Sequence, residues 1–261
     1  MTVDRETILR ALRDALEPRP DVLGMWEGGA VAFDRFDEWS DIDLQLVVEI
    51  DRQDAAFEAV EAALATVARV ELSWVSAPAK SPHGFAQRFY RFAGVSPFLL
   101  LDLAVFERDA PDFHLAPRTH GACPIWFDKE GLLVPPAPDP DEHARLRQRA
   151  ADLTKQFELF RILVEKEMHR GNAIEAASFY QSYTLRPLVE LLRILHCPDR
   201  SGFFARYAHY DLPQEVQTRL TSLFFVAGPE ELMEKERIAR RWFREVALAI
   251  TGDPLPETRF D

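Results

Sequence analysis

Cysteine is nearly absent: Cys123 and Cys197 are the only two, and they lie far apart in the chain. That excludes a disulfide framework and a cysteine zinc knuckle, so both read as buried thiols in a reducing compartment. The seven histidines show no HxxxH or HExxH spacing, which disfavours zinc. Positive charge is also scarce. Lys and Arg number 31 against 43 Asp and Glu, a net charge of -12, whereas a general nucleic-acid binder needs a basic footprint. An acidic surface suits a cationic small molecule, although many soluble proteins are simply acidic. No charge-free apolar run is long enough to span a membrane, and the opening stretch MTVDRETILRALRDALE is a charged amphipathic helix without an apolar core for export. A cytoplasmic protein with neither membrane nor nucleic-acid partner is expected. No P-loop or Rossmann glycine pattern follows a strand.

What is present is an ordinary globular composition, 47% hydrophobic and 28% charged, in a chain long enough to support its own core. Periodicity divides it in two. Ile8, Leu9, Leu12 and Leu16 recur at helical spacing until Pro18 and Pro20. Residues 22–26 form a short apolar strand candidate leading into Gly28-Gly29. In residues 42–48, Ile42, Leu44, Leu46 and Val48 point one way while Asp41, Asp43 and Gln45 point the other. A helix fits 55–67 and a strand 68–75. Residues 85–92 and 97–106 read as an antiparallel hairpin, and 123–127 as a last strand. This half is α/β or α+β. The proline-rich stretch PPAPDPDE, residues 135–142, is the clearest boundary. Beyond it, one stripe runs through Leu146, Ala150, Leu153, Phe157, Phe160, Val164 and Met168, ending at Gly171. A second helix covers 173–195 with a kink expected at Pro187, and others fit 213–226 and 229–250. The expected domains are therefore 1–134, a mixed sheet flanked by helices, and 141–252, an all-α bundle of four or five helices.

Aspartate is depleted in strands, yet Asp41 and Asp43 sit at the entrance to one, on the same face. Residues two apart on a strand have Cα atoms roughly 6–7 Å apart, and like charges that close resist joint ionisation unless a cation lies between them. These two residues alone leave two readings open: the wet face of an amphipathic strand, or a carboxylate wall for magnesium. Asp102 shifts the balance. It lies in SPFLLLDLAVFE, apolar on both faces like a central strand. A lone carboxylate there costs several kcal/mol unless paired, hydrogen-bonded or metal-bound. A salt bridge to Arg88 or Arg91 is one solution; a three-carboxylate metal site is the other.

These residues resemble a known signature. Gly28-Gly29, eleven intervening residues, Asp41-Ile42-Asp43, and then Asp102 on a later strand are similar to the motif of the nucleotidyltransferase superfamily related to DNA polymerase beta. Ser40 and Leu44 complete its common SDIDL form. An α/β half followed by a helical half further resembles the aminoglycoside nucleotidyltransferase-like branch, with RGNAIEA and RPLVELLRIL reminiscent of it. The resemblance implies an α+β chain: a nucleotidyltransferase-fold mixed sheet followed by the helical bundle, with the cleft between them. It implies that Asp41 and Asp43 ligate two Mg²⁺ ions. Asp102 would ligate the ion that activates the acceptor and take its proton. Gly28 and Gly29 would let backbone N–H groups approach the triphosphate, with Ser40 and Arg35 as further nucleotide contacts. Two departures stand out: Gly29 replaces a common serine, removing a hydroxyl contact to phosphate, and Asp34-Arg35 replaces a small residue or glycine.

The implied function is transfer of a nucleoside monophosphate, AMP from ATP or another NTP, to a hydroxyl of a small, cationic acceptor, with pyrophosphate released. The alternatives are a protein- or RNA-modifying transferase, or a non-catalytic nucleotide-binding or antitoxin-like relative. Lys155, Glu158, Arg161 and Glu165 on the first bundle helix, and Tyr207, His209, Tyr210 and Asp211 near a later turn, are weaker candidates, since helix surfaces and packing corners carry such residues by default.

Overall fold

The computed structural model describes residues 4–82 and 84–252. The chain divides into two compact units, with the break between Ala137 and Pro138. The first is an α+β unit and the second is all helical.

The first unit begins with α1 (Arg5–Leu16), capped where Asp4 Oδ1 accepts hydrogen bonds from the backbone N–H (2.9 Å) and the hydroxyl (2.7 Å) of Thr7. Then follow β1 (Val22–Glu27), a single turn α2 (Gly29–Ala32), β2 (Ile42–Val48), α3 (Gln53–Val67), β3 (Val70–Ala77), β4 (Phe85–Phe92), β5 (Leu100–Glu107), a second short turn α4 (Pro117–His120) and β6 (Ile125–Asp128). The six strands lie in the order β3-β4-β5-β2-β1-β6. Only β2 and β5 pair in parallel; every other neighbour is antiparallel.

One face of this sheet is sealed. Ile42, Leu44, Leu46 and Val48 of β2 and Leu101, Leu103 and Val105 of β5 pack beneath Ile8, Leu9, Leu12 and Leu16 of α1 and Phe57, Val60 and Leu64 of α3. The opposite face is covered only in part, by a cluster of Leu23, Trp26, Val47, Ala104, Phe106, Leu115 and Leu133. This corrects one expectation from the sequence. β5 is an interior strand, but Asp102 is half-buried rather than buried, because the covering cluster starts at Ala104, two residues further along its face. The arginines offered as its partners are engaged elsewhere: Arg88 with Glu61 and Asp54, Arg91 with Glu71.

The second unit contains α5 (Glu142–Phe160), α6 (Ile162–His169), α7 (Ala173–Phe179), α8 (Arg186–His196), α9 (Ala208–Asp211), α10 (Gln214–Phe224) and α11 (Pro229–Thr251) around one core. The stripe expected as a single first helix is broken at Arg161 into α5 and α6. The expected kink near Pro187 takes the form of a widened π turn over Tyr180–Leu185, upstream of a residue that has no N–H to return. None of the described helices is long and apolar enough to cross a membrane.

Several side chains set aside in the sequence are structural. Glu158 accepts from Arg161 and Arg244. The Asp211 side chain is fully buried between Arg193 and Arg200. Arg193 also donates to the carbonyl oxygens of Phe204 (2.5 Å), Arg200 (3.3 Å) and Arg206. It thereby pins a loop in which Phe204 and Tyr207 hold φ of 51° and 56°, a region L-residues avoid. Replacing Arg193 with Met leaves Asp211 and three carbonyls short of their donor, so the unfolding free energy should fall by about 3–5 kcal/mol. Chemical denaturation of the variant beside the wild type measures this; an unchanged midpoint refutes the clamp.

Candidate active site

Asp43 and Asp102 are register partners on the parallel pair β2 and β5. Neighbouring strands lie about 4.8 Å apart, so the two carboxylates stand side by side on the partly covered face of the sheet. The pattern that places them is the simple alternation of each strand: Leu44 and Leu103 are buried on the sealed face, which turns Asp43 and Asp102 outward. Asp41 lies just ahead of the first residue of β2 and is half-buried.

The turn after β1 is built around Asp43. The Gly28 N–H donates to the Asp43 carbonyl at 2.9 Å. Gly29 has φ of +62°, and a Cβ added there would lie 1.7 Å from Asp43 Oδ2. Glycine at 29 is therefore required twice, by its backbone conformation and by the carboxylate occupying the space of a side chain. The same clash accounts for the absence of the serine expected at this position. A Cβ at Gly28 would meet the amide of Gln45 at 3.0 Å.

Asp102 is oriented by a residue that sequence reading missed. Gln87 Nε2 donates to Asp102 Oδ1 at 2.7 Å. Gln87 faces Ala104 across the β4–β5 pair, so its side chain emerges on the carboxylate face. Only the register reveals this; the QRFYRF segment shows the arginines more plainly than the glutamine.

The remaining predicted residues are less directly placed. Ser40 Oγ donates to Asp37 Oδ1 at 2.7 Å and accepts from the Asp37 N–H at 3.0 Å, which commits the hydroxyl to its own turn. The Arg35 guanidinium lies 4.9 Å from the Phe33 ring centroid. Trp39 and Phe98, on the loops leading into β2 and β5, meet edge to face at 4.7 Å while both remain exposed. Farther along the same sheet face, His114 stacks on His120 at 4.9 Å and abuts Phe106, and burial depresses its pKa, which favours the neutral imidazole.

Among the described residues, no three carboxylate, histidine or cysteine groups converge closely enough to hold a metal ion. The donor set nonetheless suits a hard cation. Asp43 and Asp102 supply carboxylate oxygens side by side, and Gln45 Oε1 is buried without a hydrogen-bond partner. What the site offers is an acidic pair, one member seated on a glycine turn and the other fixed by an amide.

No family model matches the chain, and no curated protein matches it in sequence. Among solved structures it is similar to an aminoglycoside 6-adenyltransferase from Bacillus subtilis, at 13% identity over 96% of this chain and 91% of that one, with a TM-score of 0.41. It is also similar to a spectinomycin adenyltransferase from Enterococcus faecialis, solved with ATP and spectinomycin, at 10% identity over 98% and 94% of the two chains, TM-score 0.36. A nucleotidyltransferase-like protein from Exiguobacterium sibiricum 255-15 shows 14% identity over 95% and 77%, TM-score 0.38.

Gly29 gives a direct test of the turn. Gly29→Ala and Gly29→Ser should both displace the Asp43 carboxylate and destabilise the fold by about 1–3 kcal/mol, the scale of a strained backbone position. Thermal melting reads the effect. A Gly29→Ser variant as stable as the wild type contradicts the geometry.

Proposed function

We propose that this chain is a nucleotidyltransferase that moves AMP from ATP to a hydroxyl of a small molecule and releases pyrophosphate. The observation that carries the reading is the pairing of Asp43 with Asp102 beside a glycine turn that closes on Asp43. Two adjacent carboxylates are costly unless a cation offsets them. A glycine turn beside them leaves room for backbone N–H groups to meet phosphate oxygens.

In this reading Mg²⁺ would be held by Asp43 and Asp102, with Asp41 at the head of β2 as a further carboxylate. Bound there, the metal would supply charge neutralisation at the reacting phosphate. Gly28 and Gly29 seat the triphosphate, and Arg35 and Ser40 flank it. Gln87 fixes Asp102 through Oδ1. The acceptor hydroxyl oxygen forms a bond to the α-phosphorus, the bond from that phosphorus to the bridging oxygen of pyrophosphate breaks, and the hydroxyl proton passes to the Asp102 carboxylate. The net charge of -12 favours an acceptor that carries amines. Two free, half-buried cysteines, both with thiol pKa raised by burial, suit a reducing cytoplasm.

Asp43→Ala should abolish pyrophosphate release from Mg-ATP and a working acceptor while far-UV circular dichroism is unchanged. Release by that variant at the wild-type rate sinks the proposal. Gln87→Leu keeps both carboxylates but removes this hydrogen bond from Asp102, so its kcat should fall about 10- to 100-fold, the usual effect of losing a supporting hydrogen bond. A screen of hydroxyl-bearing compounds for pyrophosphate release supplies the acceptor for both measurements.

A further inference from the structure

The register of four strands sets out one row across the partly covered face of the sheet. Trp74 of β3 stands opposite Phe89 of β4, Phe89 opposite Asp102 of β5, and Asp102 opposite Asp43 of β2. Beyond Asp43 the row ends at the Gly28-Gly29 turn, whose N–H binds the Asp43 carbonyl. The carboxylate pair thus has a glycine turn on one flank and two aromatic rings on the other.

Those rings are arranged for contact. Trp74 and Phe89 stack with centroids 5.7 Å apart and planes 22° from parallel. Trp74 is 62% exposed, and Leu72, opposite Arg91 on the same face, is 56% exposed. The covering cluster of this face ends at Ala104 and Phe106 and does not reach β3. Exposed apolar residues that adjoin one another in a shelf, rather than standing singly, are a feature of binding surfaces.

We infer that Trp74 and Phe89 seat the acceptor of the transfer reaction, with its reacting hydroxyl at Asp102 and its body over the two rings. This rests on the transferase reading above and adds the side of the site from which the acceptor enters. The triphosphate takes the glycine flank, which leaves the aromatic flank for the second substrate. From Asp102 to Trp74 the row crosses two strand spacings, about 10 Å, the length of two six-membered rings. The acceptor therefore reaches about 10 Å from its reacting hydroxyl and ends in an apolar ring face, and Trp74 is a specificity-determining residue.

Protein labelled with 5-fluorotryptophan provides a test that does not need turnover. The Trp74 fluorine resonance is identified by its loss in Trp74→Phe. It should shift saturably with multi-ring hydroxyl compounds of the screening panel and stay in place with Mg-ATP alone. A shift with Mg-ATP alone assigns the shelf to the nucleotide and overturns the inference, as does no shift with any panel member. In turnover, Trp74→Ala should raise the acceptor KM about ten-fold and leave the KM for Mg-ATP in place, with Trp74→Phe recovering most of the loss. Release that depends on Asp43 but shows the same acceptor KM in Trp74→Ala overturns the shelf alone. Release that survives Asp43→Ala overturns the transferase reading, whatever Trp74 does.

Discussion

Parallel pairing of β2 with β5 is the constraint from which the site follows. With Ile42 opposite Leu101 and Leu44 opposite Leu103 on the sealed face, the residues between them, Asp43 and Asp102, are forced to share the other face. A slip of one residue would carry one carboxylate under α1 and α3, where an unpaired charge costs several kcal/mol. The hydrophobic core therefore enforces the alignment of the acidic pair. The other strands inherit this register: β4 follows β5 and brings Gln87 to Asp102, and β1 follows β2 and brings the glycine turn to Asp43.

The two faces of the sheet thus have different work. Helices α1 and α3 cover one with continuous apolar contact. The other is closed only where Trp26, Phe106 and Leu133 meet, and is left open where the carboxylates stand. The buried polar contacts at the margin hold this asymmetry in place. Glu27, nearly inaccessible at the end of β1, accepts from Arg5 of α1 and, at 2.8 Å, from the indole of Trp126. It fixes the strand immediately before Gly28, so the start of the glycine turn is anchored on both sides.

Much of this was legible from the sequence, and the failures have a common origin. Alternation over residues 42–48 identified β2 and its outward face, and the stripe of α1 was read from helical spacing. Asp102 was misread as buried because an apolar run on both sides of a residue does not show where the covering cluster stops. Gln87 was overlooked because its importance depends on which residue of β5 it faces, and pairing register is a long-range property. The reason for Gly29 was likewise hidden: a missing serine looked like a lost phosphate contact, whereas the space is taken by Asp43. Local pattern reveals which face a residue takes; only the fold shows what it meets there.

The same distinction explains why β3 was unremarkable in sequence. VELSWVSA reads as an ordinary strand, and its six successive exposed residues from Glu71 to Ser76 follow from its position at the sheet edge, beyond the reach of the covering cluster. An edge strand that carries Leu72, Trp74 and Val75 in the open is a liability for pairing with other chains. Such a feature is kept at a cost. Its register with Asp102 supplies a reason for the cost, because the ring of Trp74 is held, through Phe89, in line with the only adjacent pair of carboxylates that the sheet presents among its described residues.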